Sequence, residues 1–317
     1  MSTGEIAPSG ALGIDIGGHG VKGTRVDRHG VVQSRGRIDV SGVEARDIER
    51  IEQAVQRLVD DLDPDGRLPV GVGVPGFHDQ TTGLLRQSPN FPGWEDKPVG
   101  ARLSARLERR VQTENDANCA LLGEAWVGAA RGLRNVVMLT LGTGVGSGFL
   151  VGGTLLTGAR GAGAEAGHIR LHRGGRACGC GRRGCLEQYV SGPGFVTTAL
   201  EEFGEGAGAP ARPEDIFDAA KAGADWAMAA IERFCVDLAD GLTPLVHVFS
   251  PASIVLGGGV ANAFPSFAPR VEELLGERAI PACLEGALPL RQAGLGGDAG
   301  AVGAARLVLT GAKHGQH

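Results

Sequence analysis

The sequence predicts an α/β protein built as two lobes, and three observations carry that expectation. At 317 residues the chain exceeds what one hydrophobic core usually organises. β-Branched apolar runs ending in glycine turns alternate with stretches of helical spacing. The strand, glycine turn, strand pattern that opens the chain starts again at Asn135, as a duplicated half would. Apolar residues make up 42% and charged residues 21% of the chain, enough of each to fill cores and solvate a surface.

ALGIDIGG reads as a buried strand entering a glycine turn. VKGTRVDRHG is a second strand, turning at His29-Gly30 into VVQSRGRIDV as a meander. Ile48, Ile51, Val55, Leu58, Val59 and Leu62 follow helical spacing, and Pro64 and Gly66 end that helix. LPVGVGVPG is a further strand, Val99 to Arg110 is helical, and VQTENDANCALLGEAWVGAA reads as strand, polar turn and helix. In the second half NVVMLTLGTGVGSGFLVGG repeats the opening pattern, and a helix from about Trp226 to Val248 presents Ile231, Phe234, Cys235, Leu238, Leu242, Leu245 and Val246 on one face. SIVLGGGVAN then delivers three glycines to a helix start, and GDAGAVGAARLVL is a terminal helix expected to pack on the first lobe.

A net charge of −5 and a pI near 5.9 offer no general attraction to nucleic acid or anionic membrane. The N-terminus lacks a basic segment followed by an apolar run, and no apolar stretch reaches the ~20 residues needed to span a bilayer. A cytoplasmic location is therefore expected. In that reducing setting, the crowding of Cys178, Cys180 and Cys185 favours a metal over disulfides.

A phosphate chain needs close approach of backbone N–H groups, which glycine turns allow. Gly17-Gly18 with Lys22, Gly142 through Gly148 with Thr143, and Gly257-Gly258-Gly259 each follow an apolar strand, and together they point to nucleotide binding. None fits the Walker or dinucleotide fingerprints. Asp15, in IDIGG, is a candidate to hold hydrated Mg²⁺ near a transferring phosphoryl group. Asn115 and Asp116 precede a helix, and capping needs only one of them. Asp116 is the candidate base for the proton of an attacking alcohol. His168 with the three clustered cysteines supplies the donors of a closed structural zinc site, with His172 as an alternative to His168 and a redox thiol cluster as an alternative to the metal. Glu165 and Glu187 flank this loop as candidate acceptors for sugar hydroxyls, and Arg173, Arg176, Arg182 and Arg183 are expected to form a solvated rim.

IDIGG, SPN, ENDAN, LGTGVGSG, EAGH, CGCGRRGCLEQYVSG and LGGGV occur in an order in which the chain resembles the ROK family of sugar kinases and repressors, especially its bacterial glucokinases. The resemblance runs from Leu12 to about Val308. It implies an actin-like, ribonuclease-H-like ATPase fold, with ATP phosphorylating the 6-hydroxyl of glucose and Asp116 as base. By the same resemblance Asn90, Asn115, Glu165, His168 and Glu187 contact sugar, and the glycine turns (Gly17, Gly18, Gly142, Thr143, Gly144, Gly257, Gly258, Gly259) bind ATP. A homodimer is also implied. The expected division is a smaller lobe over residues 1–118, completed by the C-terminal helix at about 298–310, and a larger zinc-bearing lobe over 119–297. His19-Gly20 departs from the family's usual threonine after the paired glycines and resembles polyphosphate-using members. N-acetylmannosamine is an alternative acceptor. A sugar-responsive repressor is the alternative of another class, and the eleven residues before the first strand are too few for its helix-turn-helix module.

Overall fold

The structure is a computed structural model that describes residues 8–18, 20–40, 47–79, 81–88, 91, 93–204, 210–284 and 288–310. The chain divides into two compact units, one comprising Met1–Gly132, Thr157–Gly163 and Gly297–His317, the other Leu133–Leu156 and Ala164–Gly296.

In the first unit β1 (Gly10–Gly17), β2 (Gly20–Asp27) and β3 (Val32–Asp39) form the expected antiparallel meander. Asp27 fixes its turn, its Oδ1 accepting the N–H groups of His29 at 2.8 Å and Val31 at 3.0 Å. Helix α1 (Ile48–Leu62) starts at Asp47, whose side chain accepts the Glu49 N–H, and buries Ile51, Val55, Leu58, Val59 and Leu62. Strand β4 (Val70–Val74) pairs parallel to β1. After a short hairpin, β5 (Phe77–Asp79) and β6 (Leu84–Gln87), come α2 (Val99–Leu107), β7 (Val111–Asn115) and α3 (Asp116–Val127). The sheet order is β3-β2-β1-β4-β7.

The C-terminal helix, Ala299–Thr310, lies against this sheet and α3. Glycine makes the approach possible: a Cβ on Gly13 would stand 1.7 Å from the Ala301 carbonyl oxygen, and one on Gly71 1.8 Å from that of Ala304. Gly303 does the same from the helix side, where a Cβ would fall 1.6 Å from the Cys119 oxygen.

The second unit holds β8 (Val136–Leu141), β9 (Val145–Val151) and β10 (Thr154–Leu155), then α4 (Glu187–Val190), α5 (Gly192–Phe203), α6 (Pro213–Lys221), α7 (Asp225–Phe249), β11 (Ser253–Gly257), α8 (Ala268–Arg278) and β12 (Leu290–Gln292). Its sheet order is β10-β9-β8-β11-β12, with β8, β9 and β10 antiparallel and β8, β11 and β12 parallel. The first sheet has the same order and directions, which gives the repeated sequence pattern a structural counterpart. The core of the second unit joins Leu139, Phe149, Leu186, Phe195, Phe234 and Leu242. No helix among the described residues is long and apolar enough to cross a membrane.

Candidate functional site

In the first unit β1 carries Asp15 to its C-terminal end, opposite Lys22 on β2 and beside Gly73 on β4. The C-terminal helix begins against it, for a Cβ on Gly300 would sit 2.7 Å from the Asp15 carboxyl carbon. Asp116 opens α3 directly, without the expected intervening turn. Asn115 performs the capping: its Oδ1 accepts the N–H groups of Ala117 at 2.9 Å and Asn118 at 3.1 Å, while its Nδ2 donates to the Gly76 carbonyl at 3.1 Å. Asp116 is thus spared the capping role that sequence alone left open.

Both carboxyls are half-buried. Burial and then the nearby Asp116 charge push Asp15 up to about 7, partly offset by Lys22. Burial also raises Asp116, against the lowering effect of the Ala117 and Asp116 N–H groups. A pair of neighbouring carboxyls resisting ionisation is prepared for a cation and for proton transfer. Beneath them lies Glu114, a residue the sequence reading did not single out. It is fully buried, and its Oε1 accepts from Asn115 N at 2.8 Å and Asn118 Nδ2 at 3.1 Å. Its place in ENDAN was the available signal. Asn90 and His19 lie outside the described residues. Gly20 has a structural reason of its own, since a Cβ there would meet the Ile38 oxygen at 2.7 Å.

In the second unit the turn after β8 folds on itself through Gly142 N to Gly144 O at 2.9 Å, and Gly142 O accepts the Gly192 N–H at 2.8 Å. Thr143 is exposed in this turn. Gly257 ends β11, and Gly258 takes φ +85°, where a Cβ would strike the Leu141 oxygen at 2.4 Å. Gly258 and Gly259 are exposed.

His168, Cys178, Cys180 and Cys185 converge, their donor atoms all within 4.8 Å of one another. Cys180 Sγ and Cys185 Sγ are 3.7 Å apart, as are Cys178 Sγ and His168 Nδ1. Metal–sulfur bonds of ~2.3 Å in a tetrahedron give sulfur edges of about 3.8 Å, so the group fits zinc. Burial and the neighbouring thiols push Cys185 up to about 12, a penalty on ionisation that a bound cation reverses. His172 is elsewhere engaged, its Nε2 2.9 Å from Asp237 Oδ1 and its ring edge-on to Tyr189.

Ser147, also unanticipated, braces the EAGH turn: its hydroxyl donates to Ala164 O and accepts the Ala166 N–H at 2.9 Å. Glu165 is half-buried where a short 3-10 turn, Ala166–His168, begins. Glu187 joins two parts of the unit, with Oε1 3.6 Å from Cys178 Sγ and Oε2 accepting the Val145 N–H at 3.1 Å, just after the Gly142–Gly144 turn. The expectation of a solvated arginine rim holds for Arg173, Arg182 and Arg183 but fails for Arg176. That guanidinium donates to Gln188 O, Gly194 O, Thr198 and Glu201 and stacks 4.6 Å from the Tyr189 ring centre. Carbonyls at the α4–α5 junction and the Glu201 carboxylate hold it inward.

Two sheets of identical order, glycine turns at corresponding strand ends and a Cys₃His loop define a mixed α/β kinase fold of the actin-like kind. The chain belongs to the ROK family, whose model matches residues 11–311. It is 33% identical over 307 residues to a glucokinase of Thermotoga maritima, covering 94% of this chain and 96% of the relative. It is 36% identical over 252 residues to an N-acetyl-D-glucosamine kinase of Escherichia coli O1:K1 / APEC, covering 76% and 80%. A ROK glucokinase from Streptomyces griseus, solved in complex with glucose and AMPPNP, superposes with a TM-score of 0.75 at 31% identity, covering 94% of this chain and 98% of that one.

Proposed function

We propose that the protein is a hexose kinase that transfers the γ-phosphoryl group of MgATP to the 6-hydroxyl of glucose. The observation that carries the reading is Asp116, a half-buried carboxylate relieved of capping by Asn115 and held above its ordinary range by burial. It accepts the hydroxyl proton as the sugar oxygen attacks phosphorus, and ADP departs. Full-length similarity to a glucokinase supports glucose as acceptor.

Lys22 and the turns at Gly17-Gly18, Gly142-Thr143-Gly144 and Gly257-Gly258-Gly259 are assigned to the donor phosphates. Asp15 would hold Mg²⁺, which when bound neutralises charge on those phosphates. Sugar hydroxyls are assigned to Asn90, Asn115, Glu165, His168 and Glu187. His168, Cys178, Cys180 and Cys185 would hold one structural Zn²⁺ that fixes the loop carrying Glu187. Cytoplasmic residence and a homodimer complete the proposal.

The test is a matrix of acceptors (glucose, mannose, N-acetylglucosamine, N-acetylmannosamine) against ATP and polyphosphate. The highest kcat/KM should fall at glucose with ATP. A maximum at an N-acetylated sugar or with polyphosphate would replace the corresponding part of the assignment.

A further inference from the structure

One face of the β2–β3 ribbon sets beside Lys22 two cations, Arg35 and Arg37, that the proposed chemistry does not use. The register sets Lys22 directly across from Arg37 and Thr24 across from Arg35, so period-2 alternation sends all four side chains from the same face. The opposite face belongs to α1, where Cβ atoms on Gly23 and Gly36 would meet Leu58. Lys22, Arg35 and Arg37 line an open cleft of about 370 Å³ together with Gly297 and Asp298.

Like charges directly opposed across strands repel, and each cation here has one acid near it, Asp298 for Arg35, Asp39 for Arg37 and Asp15 for Lys22. Arg35 Nε donates to Asp298 at 2.7 Å, Arg37 Nε donates to Asp39 at 2.5 Å, and Lys22 Nζ reaches only the Gly297 carbonyl at 3.4 Å. Each guanidinium has five N–H donors, and among the described residues the terminal amino groups of both make no further hydrogen bond. Among the described residues Asp298 is the one acid that lines the cleft itself, against three cations. Charges on an edge strand such as β3 also discourage strand pairing. That role would not explain Lys22, which stands on the inner strand β2 and faces the same cleft.

We propose that this cleft is a phosphate-binding subsite, in which the forks of Arg35 and Arg37 hold a dianionic phosphoryl group and Lys22 closes it from β2. Planar guanidinium forks match phosphate oxygens in pairs. Free phosphate and the phosphate group of a monoester present the same chemistry. Lys22 also stands opposite Asp15, so an occupant draws on the ammonium assigned above to the donor. Only this consequence, inhibition by the occupant, rests on the kinase reading.

Calorimetric titration of the full-length protein tests the subsite without reference to activity. One arm uses inorganic phosphate, another glucose 6-phosphate, and a third chloride at matched ionic strength. We expect saturable binding in at least one phosphate arm, weakened at least about ten-fold in R35Q/R37Q, as loss of charge-assisted hydrogen bonds requires. The nucleotide KM of that variant should stay within about two-fold of the parent. Tighter binding of the ester would identify a monoester as occupant, and equal binding free phosphate. Should the double variant fold poorly, R37K tests the same point, because it keeps the charge and removes the fork. No saturable binding, unchanged affinity in the variants, or a nucleotide KM rising in step with the phosphate Kd would overturn the proposal.

Discussion

Replacing Asp116 with asparagine should separate catalysis from folding. The side chain keeps its size and loses its negative charge and its ability to accept a proton. A positioned general base contributes about 10²- to 10⁴-fold to rate, so kcat should fall by that factor while KM for glucose changes little. The stability change follows from the site. A negative charge in the first turn of α3 is worth about 0.3–1 kcal/mol, which the variant forfeits. Against this, Asp116 in the fold has a pKa raised above its unfolded value of 3.8, so its ionisation destabilises the native state as pH rises through that window. Asparagine removes that penalty, so the two effects oppose each other and the variant should still fold. The contrast is Asn115→Ala, which removes a cap worth about 0.5–2 kcal/mol and the hydrogen bond to Gly76, and should lower Tm clearly. Thermal unfolding alongside coupled initial rates reads both variants. An Asp116→Asn protein within ten-fold of parental kcat would refute the base assignment, and one that unfolds would refute the division of labour with Asn115.

Three further outcomes follow. Because burial raises Asp116, the acid limb of kcat/KM should lie above the ordinary carboxylate range, with activity lost as pH falls through it; a limb near 4 would contradict this. Metal analysis should find about one zinc per chain, and Cys180→Ser should lose it; a fully loaded variant would remove Cys180 from the ligand set. Gly303→Ala should destabilise by several kcal/mol or prevent folding, since its Cβ would fall 1.6 Å from the Cys119 oxygen; a parental Tm would mean that the C-terminal helix shifts freely.

Periodicity made α1 and α7 legible because each buries one stripe, and β-branched runs made β1, β4, β8 and β11 legible because each is buried on both faces. Helix α3 was found by context, for Ala117, Cys119, Leu121 and Glu124 are all buried and no polar face alternates with an apolar one. Helices α5, α6 and α8 escaped: their apolar positions are few, and proline near each start reads equally as a loop. The metal group was legible because its donors are close in sequence. Which polar neighbour caps α3, and that Arg176 turns inward, depend on hydrogen bonds to Gly76 and to the α4–α5 carbonyls, which no local pattern encodes.

The central claim is phosphoryl transfer from ATP to the sugar's 6-oxygen. Incubating the purified protein with glucose and MgATP and following two-dimensional phosphorus–proton NMR tests it most directly. The account predicts a phosphomonoester coupled to the two C6 protons, formed in step with ADP. A phosphate on any other carbon, or ATP that persists beside unmodified glucose, would contradict it.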